Sequence, residues 1–407
     1  GADVILVHAG SVLNEPIVLQ SGQVLIGQGN GSQDWLNIQG YGSVLLPQIG
    51  AAGVAPIIQG VSGNAVTMAN NSVISGFVIN SPTGNGIYAS GVHDFAINNV
   101  QVNNASGNGV YIQNASGNVQ MSGMLIKDAV GAGLRIDGGT ANMWYDGRIE
   151  SSTGRSLLIT NTTDGTINMS GSTIAEDGGD GIRLANNNGD VILDSVTVKN
   201  SSGIGVDIDG GSGQVTMLNT TTITNAAGTG LSVQNRDGNT LINIASIKGA
   251  TGRTAVDIEH NDGETWFNRL HAESTNATAL YARDSERLTI ATGDLSTTGG
   301  AALDAEDTKL NALLTHVAAS GGAYGIRIVG GDGVFALANT AVLGSAGLIQ
   351  NAGVGVYIKD FATVGLAGLD LKQNGIGLQA DNVKQLALTN LRVTDSTSFG
   401  LKLLNVD

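Results

Sequence analysis

The stretch "GIRLANNNGDVILDSVTVKNSSGIGVDIDG", Gly181 to Gly210, contains one complete period of the chain and the start of the next. Its apolar residues come in pairs on alternate positions: Ile182 and Leu184, Val191 and Leu193, Val196 and Val198, then Val206 and Ile208. Alternation with period 2 is the signature of strands that bury one face. Between the runs stand Asn, Ser and Gly, which tolerate the positive φ of tight turns. No segment shows a convincing 3.6-residue apolar period, so almost no helix is expected.

Aligning the chain on the Gly-apolar-x-apolar core extends this one period into a ladder. It reads "GIYAS" at Gly86, "GVYIQ" at Gly109, "GLRID" at Gly133, "SLLIT" at Ser156, "GIRLA" at Gly181, "GVDID" at Gly205 and "GLSVQ" at Gly230. It continues through "AVDIE" at Ala255, "ALYAR" at Ala279, "ALDAE" at Ala302, "GIRIV" at Gly325, "GVYIK" at Gly355, "GIGLQ" at Gly375 and "GLKLL" at Gly400. Most steps are 23 to 25 residues; the step after Gly325 is longer and the next one shorter. A coil of two or three short strands cannot bury its own inner face, whereas stacking coil on coil makes a continuous core. The expected fold is all-β: a single-stranded right-handed parallel β-helix with coils of about 24 residues. Asn turns such as Asn186–Asn188 are expected to stack into amide ladders. Residues 1–407 read as one such domain, with irregular N-terminal coils over 1–60 and regular coils over 61–407. The final "GLKLLNVD" stops mid-ladder without a cap, so further chain or a partner is expected to cover it.

Composition agrees with this reading. The chain has 407 residues, 61 of them Gly, with 41% hydrophobic and only 13% charged. The apolar fraction excludes a disordered Gly-rich tract, and the lack of a three-residue Gly period excludes collagen. Aromatics at 4% fit a narrow lumen filled by aliphatics. There is no Cys, which removes disulfides and thiolate chemistry together. A net charge of −15 argues against nucleic acid as partner. No apolar run reaches the roughly 18 residues of a membrane span, so no membrane insertion by this segment is expected. The absence of an initiating Met points to a mature form or a piece of a longer protein.

The ladder resembles the pectate-lyase-like right-handed β-helix superfamily over essentially the whole chain. The opening "IVLQSGQVLIGQGNG", Ile17 to Gly31, is similar to β-helical passenger regions of bacterial cell-surface proteins of the inverse-autotransporter type. These resemblances imply an extracellular or cell-surface location. They also imply either a structural or adhesive role, with a polysaccharide or a host or cell-surface protein as partner, or a polysaccharide lyase, hydrolase or epimerase. The polygalacturonase motifs and the Asp-Pro-His of alginate epimerases are missing, so no catalytic residue carries over.

Strand parity sends Asp207 and Asp209 outward, into a solvent-facing strip with Asp257, Glu259, Asp304 and Glu306, relieved by Arg183 and Arg283. Carboxylate residues at i and i+2 of a strand have Cα atoms about 6.7 Å apart, a separation that fits acid–base work on a glycoside. Equally, such a strip keeps a sheet face soluble through ion pairs between coils. His260, flanked by Glu259 and Asp262, is the candidate general base; the catalytic candidates are therefore Asp207, Asp209, Glu259 and His260. Trp144 and Trp266 also face outward, the latter near Arg269 and His271, and with Tyr281 they are the carbohydrate-binding candidates. "GGDG" at Gly178 and Gly330 and "GGSG" at Gly210 resemble the calcium nonapeptide, but Arg183, Val215 and Phe335 occupy its Asp position. They read as turns; no metal site is expected, and Ca2+ is the only cofactor left open. "IGQGNG", Ile26 to Gly31, lacks the following helix that a nucleotide loop needs.

Overall fold

The computed structural model describes residues 3–28, 35–38, 42–45, 54–150, 153–338 and 344–407, and none of them is helical. The chain forms two compact units, Gly1–Gly179 with Gly189–Ile192, and Asp180–Asn188 with Leu193–Asp407. Each is a stack of parallel coils, as the period predicts.

In the first unit the inward column runs Val66, Ile87, Val110, Leu134, Leu157, each opposite the next in parallel register. All five are fully buried. Burying an aliphatic side chain of this size contributes about 1.5–3 kcal/mol. The N-terminal runs are strands too: Val4–Val7 pairs with Val24–Gly27, which pairs with Val73–Ser75. Between them the chain leaves the coil and forms an antiparallel pair, Trp35–Ile38 with Gly42–Leu45. The last three residues of the "IVLQSGQVLIGQGNG" stretch, 29–31, lie outside the described residues.

In the second unit the corresponding column runs Ile182, Val206, Leu231, Val256, Leu280, Leu303, Ile326, Val356, Leu378, Leu401. Ile182 through Leu378 are fully buried, whereas Leu401 in the last coil is 47% exposed. The register corrects one rung of the ladder. Gly355 is followed by Gly377, not Gly375, because Val356 pairs with Leu378 and Tyr357 with Gln379. The slip is two residues, so the inward and outward faces are unchanged.

Packing explains why Gly heads so many rungs. A Cβ at Gly205 would lie 2.5 Å from Ile223 Cγ2, and one at Gly230 would lie 2.6 Å from Ile247 Cγ2. The heading position thus meets the β-branched residue that closes the same coil. Register places Ala272 next after Ile223 and Ile247, and the heading residue changes in step, from glycine to Ala255. Gly377 obeys the same rule against Val393 Cγ1 at 2.4 Å, which marks it as the heading residue.

Two further expectations are refined. The second and third runs of a coil merge into one strand, such as Val215–Thr224, with a register irregularity between Met217 and Thr220. Only Leu218, Asn219 and Thr220 separate those runs, and the backbone bends there without leaving the ladder. The amide ladder is found at Asn64, Asn85 and Asn108: Asn85 Nδ2 donates to Asn64 Oδ1 at 2.9 Å and Asn108 Nδ2 to Asn85 Oδ1 at 2.8 Å. At Asn186–Asn188 the next coil offers Gly210, Gly211 and Ser212 instead, so no amide stack runs on into that coil. Asn186 leans over Gly210, where a Cβ would lie 2.5 Å from its Oδ1.

Candidate functional site

The strip in the second unit consists of two outward columns on the strands that begin each coil. Arg183, Asp207, Ser232, Asp257, Tyr281, Asp304, Arg327 and Tyr357 follow one another in register. Two residues further along each strand stand Ala185, Asp209, Gln234, Glu259, Arg283, Glu306, Val329 and Lys359. Parallel pairing sets neighbours about 4.8 Å apart, which brings side chains within reach of contacts one coil before and after.

Those contacts are mostly ion pairs and amide bonds. Arg183 spans both acids of the following coil, with Nη1 3.0 Å from Asp207 Oδ2 and Nη2 3.3 Å from Asp209 Oδ2. Asn235 Nδ2 donates to the other oxygen of Asp209 at 2.9 Å. Asp207 is therefore not on the solvent-facing surface: it is 8% exposed, roofed by Arg183 and its neighbours. Arg327 likewise spans the preceding coil, 2.8 Å from Asp304 Oδ1 and 3.0 Å from Glu306 Oε2. Glu259 stands between Gln234 and Arg283. Tyr281 is half-buried between Asp257 and Asp304, and burial, then the charge of Glu259, raises its phenol pKa.

His260 belongs to a different column. It takes the left-handed conformation, φ 54°, with its N–H donating to Arg283 O. Asn186, Gly210, Asn235, Asp284, Asp307 and Gly330 repeat that conformation and that backbone bond in their own coils. It is the turn position of every coil. The ring Nε2 lies 3.4 Å from Asp284 Oδ2 of the next turn; among the described residues neither Glu259 nor Asp262 pairs with it. Gly211 and Gly331 also take positive φ, 83° and 78°, as turns require. No group of three or more His, Asp or Glu is placed to hold a metal ion among the described residues.

Asp257 is the perturbed member of the strip. Burial, followed by the charge of Glu259, raises its pKa from 3.8 to about 6. Its Oδ1 is buried without a partner, while Oδ2 accepts from Gln234 Nε2 at 3.5 Å. Between about pH 4 and 6 the folded chain keeps a proton that the unfolded chain has lost, so stability falls as pH rises through that window. Asp257→Asn removes this loss and retains an acceptor for Gln234. The variant is expected to unfold at higher urea than wild type at pH 7, by about 1–2 kcal/mol after allowing for solvent screening, and to match it at pH 4. Equal gains at both pH values would refute the assignment.

Trp144 and Trp266 lie in the first and second units respectively. Trp266 is half-buried, with Leu241 and Thr289 beside it in register. Trp144 is 45% exposed and forms one side of a cleft of about 550 Å³. Ala96, Gln120, Trp144 and Asn168 form one outward column there, and Asp94, Asn118, Asn142 and Thr166 also line the cleft, from the column two residues earlier. Apart from Trp144, these residues gave no signal as single letters. Only the register brings them together. A second aromatic cluster in the same unit has Tyr88 and Tyr111 with ring centroids 5.4 Å apart and Arg135 4.4 Å over the Tyr111 ring.

Residues 59–222 match the family model described as a right handed beta helix region. No curated protein matches the chain.

Proposed function

We propose that the chain is a non-catalytic, extracellular β-helix that acts as a rigid spacer and binding scaffold on a cell surface. One observation supports it above the others: four of the six outward acids of the strip are spent on arginines of neighbouring coils. Arg183 occupies Asp207 and Asp209, and Arg327 occupies Asp304 and Glu306. A hydrolase or lyase needs an acid and a base converging on one open space where a substrate atom can sit. Here His260 is turned into a different column from Asp207, Asp209 and Glu259. The resemblance to surface passenger regions supports the location.

Turnover of a glycan panel tests this reading. Wild-type protein is expected to release no reducing ends and no unsaturated products from acidic or neutral polysaccharides. Product formation that is abolished by Asp207→Asn, Asp209→Asn, Glu259→Gln or His260→Ala in folded protein would replace the scaffold with an enzyme.

A further inference from the structure

We propose that the Trp144 cleft of the first unit binds a neutral glycan, with a hexopyranose ring stacked on the indole. The inference deepens the scaffold reading by naming what the scaffold would hold. A pyranose presents one face of axial C–H groups and a rim of hydroxyls, so it needs an exposed aromatic plane with amide or hydroxyl partners beside it. The cleft supplies both. Trp144 stands between Gln120 of the preceding coil and Asn168 of the following one. Each lies one coil spacing of about 4.8 Å away, close to the width of a sugar ring.

The amides are ready for such a ligand. Asn168 Oδ1 accepts from Ser170 N–H at 2.9 Å and Asn142 Oδ1 from Thr166 N–H at 3.1 Å, which fixes both side chains and leaves their NH2 groups to donate. Gln120 is exposed and offers a donor and an acceptor. Ala96, at the other side of Gln120, keeps that part of the column low.

Charge selects among sugars. The lining holds one carboxylate, Asp94, and no Lys or Arg. Asp94 Oδ1 accepts the Asn118 backbone N–H at 2.9 Å and Oδ2 lies 2.9 Å from His93 Nδ1. Those bonds, the backbone one first, hold its pKa below the usual carboxylate range. The carboxylate therefore stays charged to lower pH than an unpaired aspartate would, and the chain as a whole carries −15. A polyuronate would be repelled locally and globally, whereas a neutral hexose or N-acetylhexosamine chain would not.

The chain has three tryptophans, so 15N-indole labelling gives few signals, and the one lost in Trp144→Ala identifies Trp144. The probes are β-linked hexamers of glucose, galactose, mannose and N-acetylglucosamine, with hexagalacturonate as the charged comparison. At least one neutral hexamer is expected to shift the Trp144 signal, and hexagalacturonate to leave it in place. Binding should weaken by about tenfold or more in Trp144→Ala and less in Gln120→Ala, both checked for folding by circular dichroism. No shift with any neutral hexamer, an equal shift with hexagalacturonate, or full binding by folded Trp144→Ala would overturn the proposal. Reducing-end release from the same hexamers is read in parallel: turnover would sink the non-catalytic reading alone, and silence of Trp144 would sink this one alone.

Discussion

Arg236→Ala is expected to destabilise the second unit by about 3–5 kcal/mol, a large effect for one residue among 407. Arg236 follows the turn residue Asn235, in a place where other coils carry a small or short polar side chain: Asn261, Ser285, Thr308. It is 2% exposed. Its guanidinium donates to the carbonyls of Gly210 and Gly213 in the preceding turn, and its own N–H donates to Asn261 Oδ1 at 2.9 Å. It therefore ties three successive turns together. Truncation leaves the two carbonyls buried without donors, at about 1–3 kcal/mol each, and opens a cavity besides. Because coils interact chiefly with nearest neighbours, the loss should be local. Amide hydrogen exchange should quicken in Val206–Asp209, Leu231–Gln234 and Val256–Glu259, and Arg236→Lys, which cannot reach both carbonyls in fork geometry, should recover only part of the protection. Unchanged exchange in all three strands would contradict this role.

Nothing in the sequence marks Arg236 as special. Arginine in a glycine-rich turn ordinarily faces water, and its burial here goes with the carbonyls of Gly210 and Gly213 one coil earlier, which its guanidinium reaches. The ladder was more legible. Gly-apolar-x-apolar spacing alone located the first strand of almost every coil, because the heading glycine and the alternating aliphatics are both demanded by the lumen. The rung at Gly375 misled because "GIGLQ" offers two glycines two residues apart, and only the clash of a Cβ at Gly377 with Val393 decides between them. In the antiparallel pair, Leu36 and Ile38 alternate around Asn37 as in a coil strand, so period 2 cannot tell that strand from a coil strand.

The candidate site was legible in its parity and not in its contacts. Asp207 and Asp209 do lie on the outward face, yet facing outward did not make Asp207 accessible, since Arg183 one coil earlier is long enough to cover it. His260 looked like a base because of its acidic neighbours in sequence, but adjacent residues at a turn diverge, and its partner is Asp284, 24 positions on. The Trp144 cleft was visible only as a lone tryptophan. Placing Gln120 and Asn168 beside it requires carrying the register through irregularities at His93/Phe95, Met121/Met124 and Trp144/Arg148, which spacing in the sequence does not reveal.

All of this rests on alternate residues of stacked strands having opposite fates, and Ile258 tests it most directly. Ile258 is fully buried in the column Ile208, Val233, Ile258, Ala282, Ala305, while Asp257 and Glu259 on either side of it face outward. Ile258→Asp would bury an unpaired carboxylate and remove an aliphatic side chain, at a cost of about 4–5 kcal/mol or more. Hydrogen exchange across Leu231–Gln234, Val256–Glu259 and Leu280–Arg283 is the readout, with Asp257→Asn as the adjacent control. The account predicts that Ile258→Asp strips protection from all three strands by two or more orders of magnitude, about 1.4 kcal/mol per order, while the control keeps it. Wild-type protection in Ile258→Asp would mean that Ile258 does not face a lumen, and the stacked-coil account would be wrong.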